Sequence, residues 1–366
     1  MNVDVYEKLT DALMQAGGTI PVVKCDEFTI LIQELFIPEE AALAAAMAPG
    51  VHSIDKISEH TGRPIEEIMP LLESMADKAL VFHQKRNGKD CYKLMPVLPG
   101  FFEFQFMKGG TTEKDYRLAR LFQDYFDKSW SLTDGVDPKI LKSLTPFSRV
   151  IPVEKEIAGG SEIHPYEKVS EYIRGAEHVS VSVCYCRHHG DLLGQSCRKP
   201  KENCMSFGPN AQFAADRGYG RLVSQEEALR ILDEAEEAGL VHMSSNTTKY
   251  IDFICNCCPC HCGILKSFSS MEMPSLGSIS AFRLKISRED CIGCEACVER
   301  CPMKALAMED DVVAVNLKRC IGCGICNSAC PEDALSMERI ANAPAPPWDR
   351  KALTAAFLES MQKATS

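Results

Sequence analysis

The chain has 366 residues, 45% of them hydrophobic, and a formal charge of −11. That length predicts about two to three domains, and the acidic balance argues against phosphate neutralisation, hence against nucleic acid as the main partner. No stretch approaches the roughly 18 to 20 apolar residues of a membrane span, and the start "MNVDVYEKLT" lacks an apolar signal region, so a cytoplasmic location is expected.

Taken in chain order, residues 1–105 read as one module. "DEFTILIQELF", "PEEAALAAAMA" and "SIDKISEHTG" predict helices, the last ending at Gly62. Pro64 opens a further helix with Ile65, Ile68, Leu71, Leu72 and Met75 at helical spacing, and Pro70 inside it. "VFHQKRNGKDCYKLM" predicts two strands around the turn pair Asn87-Gly88. This order resembles the winged-helix family. Residues 1–100 carry 9 Lys and Arg against 15 Asp and Glu. The would-be recognition helix holds Glu66, Glu67, Glu73 and Asp77 against Lys78, which disfavours entry into a DNA groove, although Lys85, Arg86, Lys89 and Lys93 make the wing basic. Docking to protein, or a purely structural part, is the expectation.

"FFEFQFM" (101–107) alternates like a strand, and an amphipathic helix follows with Leu118, Leu121, Phe122, Tyr125 and Phe126 on one face. Residues 106–175 are read as a helical connector. Beyond it the pattern becomes α/β: "HVSVSVCYCR" is a strand ending in cysteines, "SQEEALRILDEAEEAG" a helix with a capping box at Ser224 and Glu227, and "YIDFIC" another strand. Both cysteine groups of this region therefore belong on the rim of a small sheet. After "ANAPAPP" comes a last helix, expected to pack on its own chain.

Nineteen cysteines in a chain without an export signal read as metal ligands or redox centres. Cys25 and Cys91 stand apart and are expected to be buried structural thiols. "CIGCEACVERCP" and "CIGCGICNSACP" form an internal repeat, each C-x2-C-x2-C-x3-C-P. Residues 284–340 thus resemble a bacterial two-cluster [4Fe-4S] ferredoxin. The resemblance implies crossed ligation, with Cys291, Cys294, Cys297 and Cys330 on one cluster and Cys320, Cys323, Cys326 and Cys301 on the other. Zinc is the alternative for any four thiolates.

Nine cysteines remain: Cys184, Cys186, Cys197, Cys204, Cys255, Cys257, Cys258, Cys260 and Cys262. Arg187, His188, His189, Arg198, Lys199 and Lys201 make the first group's surroundings basic. Three readings stand: one or two additional [4Fe-4S] clusters, structural zinc, or a dithiol/disulfide site such as Cys257–Cys258. Histidines 188, 189 and 261 could each replace a thiolate, but solvated or hydrogen-bonded roles are expected. The run "CYCR … C … C … GLVH … ICNCC" ahead of the ferredoxin repeat resembles a little-characterised family of cytoplasmic ferredoxin-like proteins of anaerobes, which supports a multi-cluster protein without implying a reaction. In that resemblance His261 stands where a further cysteine is expected. A heterodisulfide-reductase motif does not match, because the cysteines after Cys258 crowd together.

The expected architecture is an α+β multidomain chain: a winged-helix-like domain (1–105), the connector (106–175), a central cysteine-rich α/β domain (176–283), a ferredoxin-like 2[4Fe-4S] domain (284–340), and a linker with a C-terminal helix (341–366). With no Rossmann glycines, P-loop or flavin signature, the expected role is single-electron transfer as a subunit or partner of an anaerobic redox system. The partner would be a flavin- or iron–sulfur-containing oxidoreductase. A cluster-bearing transcriptional regulator and a reductase with a catalytic central cluster are the rival readings.

Overall fold

A computed structural model describes residues 3–18, 21–133, 144–159, 163–249, 251–270 and 280–365. Two compact units emerge, Met1–Gly135 with His188–Ser196 and Phe213–Arg221, and Val136–Arg187 with Cys197–Gln212 and Leu222–Ser366. Helix and sheet are mixed throughout.

In the first unit, helices α1 (Val3–Gln15), α2 (Asp26–Leu35) and α3 (Pro38–Ala46) precede a short strand β1 (His52–Ser53), then α4 (Ile54–Thr61) and α5 (Ile65–Asp77). In α2 the residues Phe28, Leu31, Ile32 and Leu35 are buried, the single face that helical periodicity requires. Strands β2 (Val81–Arg86) and β3 (Lys89–Leu94) pair antiparallel, and β1 adds to β3. Asn87 and Gly88 both take positive φ, as a two-residue hairpin turn demands.

The strand expected at 101–107 is instead helix α6 (Phe102–Met107), followed by α7 (Glu113–Thr133). Alternating aromatics at 102, 104 and 106 also satisfy the helical i, i+4 relation, so the period alone is ambiguous. Packing decides it. Phe102 and Phe106 meet Phe122, whereas Phe104 meets Phe213 and Tyr219, and the Glu103 carboxylate accepts from the Gly100 amide at the helix start.

The second unit is built on a six-stranded sheet. Its strands in spatial order are β4 (Ser148–Ile151), β8 (Val241–Ser245), β9 (Phe253–Cys257), β6 (Glu202–Phe207), β5 (Val179–Val183) and β7 (Arg221–Val223). Residues 148–151, inside the stretch read as a helical connector, thus form a strand of this sheet. The successive pairs from β4 to β5 are antiparallel. Helices α8 (Val169–Gly175), α9 (Tyr185–Leu192), α10 (Pro209–Asp216) and α11 (Gln225–Glu237) connect the strands. Pleating sends neighbouring side chains to opposite faces. Ile151, Met205 and Ile254 pack with Ile173 of α8 and Leu232 of α11, while Val150, Val241 and Met243 face the other way, toward the C-terminal cysteine region.

That region follows α12 (Gly263–Ser270). It pairs β10 (Phe282–Ile286) with β13 (Leu335–Arg339), encloses the hairpin β11 (Leu306–Glu309) and β12 (Val312–Val315), and carries the short helix α13 (Ala296–Arg300). Met303, Ala305, Ile321 and Ile325 press onto the sheet face presented by Val241 and Met243. Arg300 donates to the Glu236 and Glu237 carbonyls at the end of α11, where unpaired carbonyls favour a cation. The last helix, α14 (Arg350–Thr365), packs on its own unit through the Thr145–Ser360 bond and the Phe147–Phe357 ring contact. No described helix is long and apolar enough to cross a membrane.

Candidate metal centres

Each half of the cysteine repeat forms a loop leading into a short helical turn, so three thiols of each run converge locally. Cys291, Cys294 and Cys297 line one cavity of about 340 Å³, and the fourth cysteine there is Cys330, from the other run. Cys320, Cys323 and Cys326 line a second cavity of about 340 Å³, completed by Cys301.

The loops fit an object held among four sulfurs. Gly293 and Gly322 occupy equivalent places in the two runs, both at positive φ. A β-carbon on Gly322 would lie 2.1 Å from the Phe282 carbonyl oxygen, and one on Gly293 would lie 2.7 Å from that of Asp311. Only glycine lets these loops close so tightly. Backbone amides of Val313 and Gly293 donate toward Cys291 and hold its thiol below the usual range, and the Ala305 amide donates to Cys301 at 3.2 Å. Burial pushes Cys323 up to about 12 despite the Ile325 amide, and raises Cys320 and Cys326 as well. Buried thiols of this kind ionise when a metal supplies the opposing charge.

Residues 280–337 match the family model of the 4Fe-4S dicluster domain. The match supports iron–sulfur cluster binding by this segment. No curated protein and no solved structure matches the chain. Two sets of four thiols around two separate cavities suit the cubane chemistry of the dicluster domain, with Cys294 on the surface and Cys326 buried.

The nine central cysteines form two groups that adjoin at Cys258. Cys184 and Cys186 follow β5, Cys204 lies on β6, Cys255 and Cys257 lie on β9, and Cys262 precedes α12; all line one cavity of about 240 Å³, and Cys258 reaches the same cavity. Their thiols interact in a closed ring, Cys184 with Cys186 and Cys204, Cys262 with Cys186 and Cys257, and Cys255 with Cys204 and Cys257. Their ring neighbours hold Cys184 and Cys262 well below the usual thiol range and Cys255 at about 6, and raise Cys186, Cys204 and Cys257.

Arg187 is fully buried beside this ring. Its guanidinium donates to the Asn256 carbonyl at 3.0 Å and to the Asn203 side-chain oxygen at 2.5 Å. Among the described residues no carboxylate pairs with it. Burial opposes its charge, but Cys184, Cys204 and Cys258 outweigh that and hold it protonated. A buried cation without a carboxylate requires a negative centre nearby, and a metal–thiolate group is one. The basic sequence context included Arg187, but nothing in it pointed to Asn203 and Asn256 as the groups that aim it.

The second group is Cys197, Cys258, Cys260 and His261, whose donor atoms all lie within 4.8 Å of one another. His188 and His189 are placed elsewhere, bonded to the Gly110 and Ala119 carbonyls at 2.8 Å and 3.0 Å. Cys91 is buried as expected; Cys25 is not, standing half-exposed at the start of α2.

Proposed function

We propose that this protein is an iron–sulfur electron-transfer protein in which single electrons pass along three centres in a row. The observation that carries this reading is the continuity of packing between the three cavities. Cys257 and Cys262 of the central ring share one apolar core with Cys301, Cys320 and Cys323 of the dicluster segment. Cys301, Cys320 and Cys326 share the next core with Cys291, Cys297 and Cys330. Such dry, close-packed contacts keep water from successive cofactors, and a cubane, when bound, supplies one-electron chemistry with no group transfer.

In this reading Cys291, Cys294, Cys297 and Cys330 hold the outer cluster, and Cys301, Cys320, Cys323 and Cys326 the middle one. The central ring holds the inner cluster. Its six cysteines supply the four ligands of one cubane but not the eight of two. Cys294 and the 64% exposed Ile292 mark the outer end as the place where a partner exchanges electrons. That partner is an oxidoreductase of an anaerobic redox system carrying a flavin or iron–sulfur group.

The first unit serves docking or support. Its acidic helix α5 has Glu73 and Asp77 tied to Arg217 at 3.0 Å and 2.6 Å, an arrangement that offers phosphates no cation, and this weighs against a DNA-binding regulator. One observation favours a second reading, a reductase: six thiols are two more than the four irons of a cubane take. Those two are left to cycle between dithiol and disulfide beside the cluster.

The test is iron analysis of anaerobically purified protein with EPR during stepwise reduction. About twelve irons and three interacting signals are expected for three cubanes. About eight irons would overturn the inner centre. A signal that changes when small oxidised substrates are added would move the reading to a reductase.

A further inference from the structure

We propose that Cys197, Cys258, Cys260 and His261 form a closed mononuclear zinc site, separate from the iron–sulfur relay. The first argument is size. All four donor atoms fall within 4.8 Å of one another, and Cys197 and Cys260 have their sulfurs 3.7 Å apart. Zinc–sulfur bonds of about 2.3 Å make a tetrahedron whose edge is about 3.8 Å. A cubane instead carries each thiolate on a different iron, which holds the sulfurs farther apart. Among the described residues this is the only set of three or more Cys, His, Asp or Glu donors drawn so close. The dicluster cysteines, spread around their larger cavities, are not.

The donor set is the second argument. Three thiolates and one imidazole suit zinc and exclude the hard cations, which take oxygen ligands. Four protein ligands fill a tetrahedron and leave no open position, so the site is structural.

Chain geometry is the third. Cys255 and Cys257 share the sheet face with their partners Met243 and Val241, while Asn256 and His242 take the opposite face. The alternation continues one residue further and turns Cys258 to the face opposite Cys257, into contact with Ala235 and Leu240 and beside Arg187 at the edge of the ring cavity. Cys258 is 1% exposed there. The turn after it is closed by the Cys262 amide on the Cys258 carbonyl at 3.2 Å, which presents Cys260 and His261. Cys197 arrives from a loop fastened to the end of α11 by the bond from Lys199 to the Ala238 carbonyl. An ion held here clamps that loop to the turn. Because Cys257 and Cys262 flank the turn, the clamp also positions two thiols of the ring.

The full chain, purified anaerobically after growth with zinc, tests this by metal analysis and X-ray absorption at the zinc edge. The expected result is about one zinc per chain with three sulfurs at about 2.3 Å and one nitrogen at about 2.0 Å. Zinc-free protein, or a zinc shell of four sulfurs or of oxygens, would overturn the site. In H261A and in Cys260→Ser the zinc should fall at least about fivefold while iron content and cluster signals persist. Loss of iron with zinc retained would instead place these residues on a cluster. Iron content judges the relay separately, so the zinc site can fail without it.

Discussion

Cys301 closes the first cysteine run, yet it shares its cavity with Cys320, which opens the second. The pair joins the two halves of the dicluster segment through whatever both sulfurs hold. Cys301→Ser should therefore disturb the same EPR signal as Cys320→Ser, and a different one from Cys294→Ser. Each replacement should remove or convert about four of the irons. If Cys301→Ser and Cys294→Ser altered the same signal, the assignment of cysteines to cavities would be wrong.

Arg187 should set the potential of the inner centre. Its fixed positive charge stabilises the more negative, reduced state. Unit charges about 4 Å apart at an effective dielectric of about 20 interact by about 4 kcal/mol. Arg187→Gln should accordingly lower that potential, on the order of 100 mV, with Arg187→Lys shifting it much less. Redox titration followed by EPR measures both. An unchanged potential in Arg187→Gln would remove the guanidinium from the electrostatics of the site.

Gly322→Ala should destabilise the middle cluster specifically. The new methyl would meet the Phe282 carbonyl at 2.1 Å, and the residue sits at a φ of +68°. Left-handed backbone alone costs a non-glycine residue about 1–2 kcal/mol, and the clash adds to it. Cluster loss on mild heating, followed by visible absorbance, should come earlier than in the parent. Gly194→Ala, also at positive φ but where a β-carbon meets nothing within 4 Å, is the control that keeps every cluster signal.

Glu236 should make stability sensitive to acid. Burial alone would raise its carboxyl pKa, but His242 at 3.2 Å and Lys155 at 2.6 Å outweigh that and hold it below the usual carboxylate range. A carboxyl lowered on folding contributes its full stability above the unfolded value of about 4.3, and loses it as pH falls through the folded value. Glu236→Gln should cost about 1.5–3 kcal/mol at pH 7, less whatever solvent screens at the half-exposed Lys155. The difference from the parent should begin to shrink below about pH 4.3 and be gone only below the lower folded value. Anaerobic urea unfolding followed by circular dichroism tests this, and a difference that persisted in acid would contradict it.

The iron–sulfur character of the C-terminal segment was legible in the sequence because the ligand loops are local. Spacings of two and three residues bring thiols together through the covalent chain, whatever surrounds them. Helices such as Asp26–Leu35 and Gln225–Glu237 were legible for a similar reason, since their apolar stripes and capping residues act within a few turns. The alternating aromatics at 102–106 misled because two periods fit three residues equally well.

The division of the nine central cysteines was decided only by the tertiary structure. Cys204 and Cys255 lie on β6 and β9 and Cys184 directly follows β5, so their meeting depends on the order β9, β6, β5 across the sheet. Likewise Cys257 and Cys258 are neighbours in sequence and both reach the ring cavity, but only Cys258 also comes within 4.8 Å of Cys197, Cys260 and His261. A composition rich in sulfur points to metal or redox chemistry. Which sulfurs share a metal depends on strand pairing and on the pleat, and those arise from burial across the whole sheet rather than from any single run of residues.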